Sequence, residues 1–230
     1  MTPATGPRRT PTRRAVGVRA GLTLEQIIEA ARSLAPDELS MQALADRLGV
    51  DRKAINHHVN DREALLGLVA MDAFAASFSA VAIEQHVQWQ AACRTYARGF
   101  TDSAIATGTL ADRIRLSGPY VTRVLEPTEA VLQKMVSAGF DDESAMRSLS
   151  LLTNICLAYA RDVVLEFSSG TTSPRALILR SALEERNPVE FETLARIAEL
   201  PVTTYDRRQF ELGVDIFIAG AEEVLRNLRA

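Results

Sequence analysis

The stretch MQALADRLGVDRKAINHHVN, residues 41–60, decides the fold of the N-terminal part of the chain. Leu44 and Ala45 belong to an apolar helical face, and Gly49 then ends the first helix. Ala45 is small where two helices would cross closely, and Gly49 can adopt the positive φ that a tight turn requires. Ile55 is apolar where the second helix has to pack against the first. The pattern therefore predicts a helix-turn-helix.

A helix-turn-helix of this kind binds duplex DNA with the first residues of its second helix at base edges in the major groove. Arg52 and Lys53 open that helix and are the predicted base readers, with guanine as a candidate target. Gln42, at the start of the preceding helix, is predicted to add a base or phosphate contact. The polar side chains predicted to position the protein on phosphates are Asn56, His57, His58 and Arg62.

Two other interpretations of this stretch compete with DNA binding. A helical hairpin with no nucleic-acid role would show the same spacing, although the neighbouring basic residues favour DNA. A metal site at His57 and His58 is disfavoured because adjacent residues on a helix point about 100° apart. The only cysteines, Cys93 and Cys156, lie in apolar helical patterns without metal-ligand spacing and are expected to be buried free thiols. No metal and no cofactor is predicted.

The whole chain beyond Gly21 has helical periodicity, so the predicted fold class is all-α. Thr23 with Gln26, and Asn60 with Glu63, offer capping boxes for two of the helices. Later helices are predicted at residues 87–106, 110–116, 121–138, 142–168, 175–186, 190–198 and 205–228, with an interruption at Pro127. The predicted regions are a disordered basic arm at residues 1–21, a helix-turn-helix DNA-binding domain at 22–66, and a regulatory ligand-binding and dimerisation domain at 67–230.

The charge of the chain is distributed unevenly. The 230 residues are 47% hydrophobic, enough for a sizeable core, and carry a net charge of -3. Residues 1–62 hold ten Arg and Lys against seven Asp and Glu, whereas residues 63–230 hold sixteen against twenty-two. A basic front end on an acidic body fits local contact with nucleic acid. No run of about eighteen apolar residues lacks charges, and no apolar leader segment is seen, so we expect a cytoplasmic protein without a membrane span.

The stretch LGVDRKAINHHVNDREALL, residues 48–66, resembles the DNA-binding signature of the TetR family of transcriptional repressors. Other segments resemble the regulatory domain of that family in order and spacing: QW at 88–89, SGP at 117–119, SAGF at 137–140 and FELGVDIFIAGAEEVL at 210–225. The resemblance covers about residues 22–230. It implies a dimeric repressor that leaves its operator when a small-molecule effector binds.

The sequence departs from the family pattern at four positions. Asn56 stands where the family usually has a tyrosine that contacts phosphate, and Lys53 stands where tetracycline-binding members have proline, so the operator is expected to differ. Ile114 stands at the position of the magnesium-chelating histidine, and Tyr96 at that of the asparagine that bonds the drug. Because isoleucine cannot hold a metal, we expect an effector that is more apolar or aromatic than magnesium-tetracycline.

An effector in a helical domain is expected between helices, in an apolar cavity with few polar groups. The candidate lining residues are Phe78, Trp89, Tyr96, Phe100, Ile114, Leu116, Met135 and Asn154. Apolar and aromatic residues at helical spacing are also ordinary core, and we expect about half of them to be only that. Asn154 is the most informative, because an amide in the apolar run 149–157 needs a partner if it is buried.

The final predicted helix has too wide an apolar surface to be covered on one side only, so a partner chain is predicted. Gly213 and Gly220 lie seven residues apart and would permit close helix approach. Pairing of this helix and the 142–168 helix with their symmetry mates would give a four-helix interface. The alternative is that both helices are buried within one subunit.

The function predicted from these features is repression by a homodimer bound to a palindromic operator. The recognition helices would lie about 34 Å apart, and an effector that displaces the fourth helix would change that spacing. The alternative is a constitutive DNA-binding regulator with no effector. An enzyme is disfavoured because the sequence has no nucleophile elbow, P-loop or GxGxxG motif.

Overall fold

The structure is a computed structural model that describes residues 21–116, 119–169, 174–186, 188–200 and 206–230. Except for Gly21, the predicted basic arm lies outside these residues. Within them every regular element is an α-helix or a 3-10 helix, which confirms the all-α prediction. The elements are α1 (Leu24–Arg32), α2 (Met41–Leu48), α3 (Arg52–Asn56), α4 (Arg62–Phe78), α5 (Trp89–Ala106), η1 (Gly108–Arg113), η2 (Pro119–Val124), α6 (Leu125–Ser137), α7 (Asp142–Ser169), α8 (Pro174–Glu184), η3 (Pro188–Phe191), α9 (Glu192–Ala198) and α10 (Arg207–Leu228).

Side-chain caps fix where the first helices begin. Thr23 accepts a hydrogen bond from the backbone of Gln26, whose side chain accepts one from the backbone of Thr23, so the predicted capping box of α1 is confirmed. The predicted box at Asn60 is wrong. Asp61 caps α4 instead and accepts from the backbone of Ala64 at 2.8 Å, where a carboxylate also favours the positive end of the helix dipole.

The central pair of helices is α5 and α7, and α6 and α10 pack beside them. Helix α4 contacts α1 on one side and α5, η1 and η2 on the other. Nine of its seventeen residues are buried, so it is covered on more than one face. Helix α4 is therefore the element through which the first three helices are joined to the rest of the fold.

Two predicted helices differ from the observed ones. The segment predicted as helix 110–116 is the 3-10 helix η1, and the segment 121–138 divides into η2 and α6. Pro127 lies in the first turn of α6, where its missing N–H removes no helical hydrogen bond. The predicted interruption near Pro127 is thus confirmed, and the break falls just before it.

Helix α5 passes very close to the segment that follows α4. An ideal Cβ added to Gly99 would lie closer to Cγ2 of Val81 than real Cβ atoms approach other heavy atoms. The absence of a side chain at Gly99 therefore allows this crossing, which brings the middle of α5 against the end of α4.

One helix within the described ranges, over Asp142–Leu165 of α7, is long and apolar enough to cross a membrane by length and composition alone. The core helix of a soluble protein passes the same test. Helix α7 packs against α5, α6 and α10, and 33% of this apolar window is buried, so burial within the fold accounts for only part of its apolar character.

Candidate DNA interface and effector region

The helix-turn-helix has the geometry that its sequence predicts. The side chains of Leu44, Ala45 and Ile55 are at most 1% exposed. Gly49 ends α2 with a φ of +64°, and the backbone N–H of Val50 then bonds the carbonyl of Ala45 at 3.1 Å. These contacts hold α3 at a fixed angle across α2.

The N-terminal end of α3 presents polar side chains to solvent. Asp51 caps the helix by accepting from the backbone N–H of Lys53 at 2.8 Å. The side chains of Arg52, Lys53, Asn56 and His57, which we call the recognition face, are exposed and make no hydrogen bond or ion pair with any described residue. Their donors are therefore available to an external partner.

The other predicted DNA contacts lie in different surroundings. Gln42 is exposed but donates to Asp46 at 2.8 Å. Arg62 donates to the backbone carbonyls of Leu39 and Pro36, both at 2.6 Å. These bonds fix the start of α4 to the connection between α1 and α2, so Arg62 has a structural task within the fold.

His58 lies at the junction between the helix-turn-helix and the remainder of the chain. It lines a cleft of about 440 Å³ between α4 and η1, together with Arg113 and Arg115. Arg113 pairs across this cleft with Glu63 of α4 at 3.1 Å. The cleft therefore contains an ion pair that links η1 to the N-terminal end of α4.

Four aromatic side chains form a buried cluster where α4 meets α5. Phe74, Phe78, Tyr96 and Phe100, which we call the aromatic cluster, are at most 3% exposed. Their ring centroids lie between 4.8 and 6.0 Å apart in five pairs, distances typical of favourable aromatic contacts. Three of the predicted effector residues are thus brought together. Phe74 was not predicted, although its position one helical turn before Phe78 could have indicated it.

The hydroxyl of Tyr96 is the polar group of this cluster. It lies 3.1 Å from Oγ1 of Thr153, which itself donates to the carbonyl of Leu149 at 2.9 Å. Burial raises the pKa of Tyr96, and hydrogen bonds with Thr153 and Thr128 oppose that shift. The phenol is therefore neutral near pH 7. Thr153 is a further residue that sequence reasoning missed.

The other buried candidates surround this cluster or lie apart from it. Trp89 packs on Phe140 with a centroid distance of 5.1 Å, so among the described residues its ring pairs with a residue outside the aromatic cluster. Ile114 and Met135 are at most 1% exposed and belong to the same core. Their burial fits both ordinary core packing and a place near an effector.

Two of the candidates are not buried. Leu116 is 46% exposed. Asn154 is also exposed, because it lies on the face of α7 that is turned away from α5. Its amide therefore does not need the buried partner that the apolar run suggested, and neither residue is brought to the aromatic cluster.

The two cysteines are free and buried, as predicted. Burial raises the pKa of both Cys93 and Cys156 to about 12. Both thiols therefore stay protonated near neutral pH and are poor nucleophiles or metal ligands. Within the part of the chain that the structure describes, no group of three His, Cys, Asp or Glu side chains could hold a metal ion.

Helices α7 and α10 expose large apolar side chains on adjoining surfaces. Leu151 of α7 is 55% exposed, and Leu212 and Ile216 of α10 are 52% and 64% exposed. An ideal Cβ added to Gly220 would lie in open space, whereas one added to Gly213 would lie 3.7 Å from Cγ2 of Ile155 in the same chain. Gly213 therefore serves the packing of α10 on α7 within one subunit, and Gly220 lies on the open surface.

Comparison with known proteins identifies the relatives of this fold. The model of the tetracyclin repressor-like C-terminal domain matches residues 84–225. Apo ActR from Streptomyces coelicolor is 30% identical, with a TM-score of 0.66 over 88% of this chain and 95% of that one. ActR in complex with actinorhodin is 29% identical, with a TM-score of 0.66 over 90% and 99%.

More distant structures agree in fold. TetR from Acinetobacter baumannii AYE is 20% identical, with a TM-score of 0.56 over 89% of this chain and 98% of that one. No curated protein matches the chain in sequence. The matched domain covers more than half of the chain, and the ActR likeness extends over 88% of it at 30% identity. The chain therefore belongs to the TetR family of transcriptional regulators.

Proposed function

We propose that this protein is a homodimeric, ligand-responsive repressor of the cytoplasm that binds a palindromic operator and is released by a small aromatic or apolar effector. The observation that carries the proposal is the recognition face, whose exposed donors lack partners among the described residues. The proposed DNA-binding domain spans residues 22–66 and the proposed regulatory domain residues 67–230.

Base reading is assigned to Arg52 and Lys53 at the start of α3. A guanidinium or ammonium there can donate to O6 and N7 of guanine. Asn56, His57 and His58 follow along the helix and its end, where contacts to phosphates would hold the register. Gln42 and Arg62 would support this interface from α2 and α4.

Dimerisation is assigned to α7 and α10. Exposed leucine and isoleucine side chains on two adjacent helices form an apolar surface that water contacts unfavourably in a monomer. A second copy would bury the same surface in a four-helix arrangement. Asn154 and Gly220 lie on this outer side and belong to the proposed interface.

The effector is assigned to the region of the aromatic cluster. ActR, which is 28–30% identical, has been solved with (S)-DNPA and with actinorhodin bound. The neighbouring rings of Phe78 and Phe100 would stack on an aromatic effector, and the hydroxyl pair of Tyr96 and Thr153 would bond a polar group on it. Trp89, Ile114, Leu116 and Met135 remain candidates for the periphery of this site.

Helix α4 would transmit the signal. Its last turn carries Phe78 of the aromatic cluster, and its first turn carries Arg62, which is bonded to the connection between α1 and α2. An effector that separates the rings favours a different α4 position and so changes the distance between the two recognition helices. A coupling of about 1–3 kcal/mol would weaken DNA binding about 5- to 150-fold.

A constitutive regulator without an effector is the second candidate. The observation that favours it is that the rings of the aromatic cluster already contact one another and fill their own space. Calorimetric titration of the dimer with actinorhodin and with a panel of planar aromatic compounds separates the two candidates. A compound that binds and also lowers the affinity for the operator supports the effector-controlled repressor. If no compound gives a heat of binding or releases the protein from DNA at saturating concentration, the constitutive regulator is supported.

Selection of duplexes from a random library tests DNA binding directly. The wild-type dimer is expected to enrich a palindrome, and the double variant Arg52→Ala/Lys53→Ala to enrich none. Arg47→Ala, an exposed arginine at the end of α2, serves as the matched control. Failure of the wild type to enrich any sequence, together with a monomer in sedimentation, would contradict the proposal.

A further inference from the structure

Among the described residues, Asp72 is the one charged side chain that is buried, with 4% of its surface exposed. It lies in the middle of α4. One carboxylate oxygen accepts from Nη1 of Arg123 at 2.8 Å, and the other accepts from the guanidinium of Arg32. Two arginines from separate elements thus share one buried carboxylate.

The two arginines come from opposite sides of the domain junction. Arg32 is the last residue of α1, in the proposed DNA-binding domain. Arg123 belongs to η2, which leads directly into α6 and so into the helices around the effector region. The triad of Arg32, Asp72 and Arg123 therefore connects α6 to α1 through the middle of α4.

The surroundings of Arg123 hold it in this position. Its guanidinium lies 4.9 Å from the ring centroid of Tyr120, a residue that is 6% exposed. Burial raises the pKa of Tyr120, and the charges of Glu25 and Arg32 in α1 also act on it. The η2 segment is thus close to α1 as well as bonded to α4.

A buried carboxylate with two partners is poorly tolerant of losing either one. Removing one arginine leaves the buried carboxylate with one of its two compensating charges and with one oxygen that has lost its partner, whereas the loss of a fully exposed pair changes little. In some proteins a buried charge with fixed partners defines one arrangement of the elements around it. Asp72 has this property at the place where two proposed domains meet.

We propose that Asp72 is a positioning residue that sets the orientation of the helix-turn-helix, because it holds α1 and η2 together through Arg32 and Arg123. A displacement of η2 or α6 would then be transmitted to α1 through Arg123, Asp72 and Arg32, in addition to any displacement of α4 itself. The inference rests on the proposed function for its consequence at DNA, but the mechanical link from η2 to α1 exists in the protein alone.

Hydrogen exchange of the DNA-free dimer tests that link. Arg123→Gln and Asp72→Asn are expected to speed exchange of the α1 amides at least about 5-fold, with exchange in α7 unchanged. Arg123→Lys, which keeps a charged donor, is expected to restore much of the protection. Asp102→Asn is the matched control, because Asp102 pairs with Arg207 at 3.0 Å in an exposed ion pair far from α1. Wild-type exchange of α1 in Arg123→Gln would overturn the proposal.

A second measurement uses the duplex enriched by the wild-type dimer, with one base pair added or removed between its half-sites. The wild type is expected to discriminate against the altered spacings. Arg123→Gln is expected to discriminate at least about 5-fold less, because the orientation of its helix-turn-helix is less fixed, and Arg123→Lys is expected to regain the discrimination. Unchanged discrimination in Arg123→Gln would count against the proposal. If the wild type enriches no duplex, DNA binding itself fails, and hydrogen exchange alone decides the role of Asp72.

Discussion

The recognition face and the aromatic cluster have opposite relations to their surroundings. Arg52 and Lys53 have donors but no partner among the described residues, whereas Phe78 and Phe100 are fully enclosed by other rings. The proposed DNA contact at the first region therefore breaks no existing side-chain bond, whereas the proposed effector could enter the second only if side chains move. This difference suits a regulator whose DNA-bound form is the one present before the effector arrives.

The largest expected effect comes from removing a ring from the aromatic cluster. Phe100→Ala is expected to lower the free energy of unfolding by about 3–5 kcal/mol, because it leaves a cavity in a fully buried site. Arg52→Ala, at an exposed site, should change it by less than about 0.5 kcal/mol. Urea unfolding of both variants measures this. If Phe100→Ala and Arg52→Ala have the same free energy of unfolding, the aromatic cluster is loosely packed.

The next effect follows from the buried thiols of the regulatory part. Burial raises the pKa of Cys93 and Cys156 to about 12 in the folded protein, against about 9 for a solvent-exposed thiol. Because only the unfolded chain then loses these protons, stability is complete below pH 9 and falls as the pH rises toward 12. From pH 8 to 10 the two thiols together are expected to remove about 2–3 kcal/mol of unfolding free energy.

Urea unfolding at these two pH values measures the change. The double variant Cys93→Ala/Cys156→Ala is less stable at pH 8 because of its cavities, but its stability should fall less between pH 8 and 10. An identical pH dependence in the variant and the wild type would exclude the thiols as its origin.

A smaller effect separates roles within the recognition face. Arg52→Ala is expected to reduce the free energy of binding to the enriched duplex by about 1–3 kcal/mol and to weaken the base preference at one position of the operator. Asn56→Ala is expected to weaken binding to all duplexes by a similar amount, smaller than the loss in Arg52→Ala, because a phosphate contact carries no sequence information. Fluorescence anisotropy with the enriched duplex and its single-base variants measures both. Relaxed preference in Asn56→Ala would assign base reading to Asn56.

The smallest effect concerns the hydroxyl of the cluster. Tyr96→Phe is expected to lower the free energy of unfolding by about 0.5–1.5 kcal/mol, since one hydrogen bond to Thr153 is lost while Thr153 keeps its bond to Leu149. Thermal unfolding measures this. A loss comparable to that of Phe100→Ala would show that the hydroxyl holds more than one neighbour in place.

The helix-turn-helix could be predicted from the sequence because the residues that determine it lie close together in the chain. Gly49, Ala45 and Ile55 act through turn geometry and helix spacing within a few residues of one another. The aromatic cluster was found only in part, since periodicity places Phe78 and Tyr96 on inner faces but does not say which faces meet. Asn154 shows the limit most clearly. An apolar run of α7 includes both a buried face and an exposed one, and only the packing of α5 distinguishes them.

The same limit applies to charges. The sequence separates Arg32, Asp72 and Arg123 by 40 and 51 residues, and each taken singly is typical of a solvated helix surface. Arg62 was predicted to face phosphate, yet its donors lie on the carbonyls of Leu39 and Pro36. Such contacts depend on long-range packing, which no local pattern in the sequence records.

The crossing of α5 over Val81 has a consequence for how this protein can be changed. Because the methyl groups of Val81 occupy the space beside Gly99, an alanine at position 99 is expected to be tolerated only when position 81 is made smaller at the same time. The two positions should therefore vary together, and a library that randomises position 99 while Val81 is kept is expected to yield few folded proteins other than those with glycine.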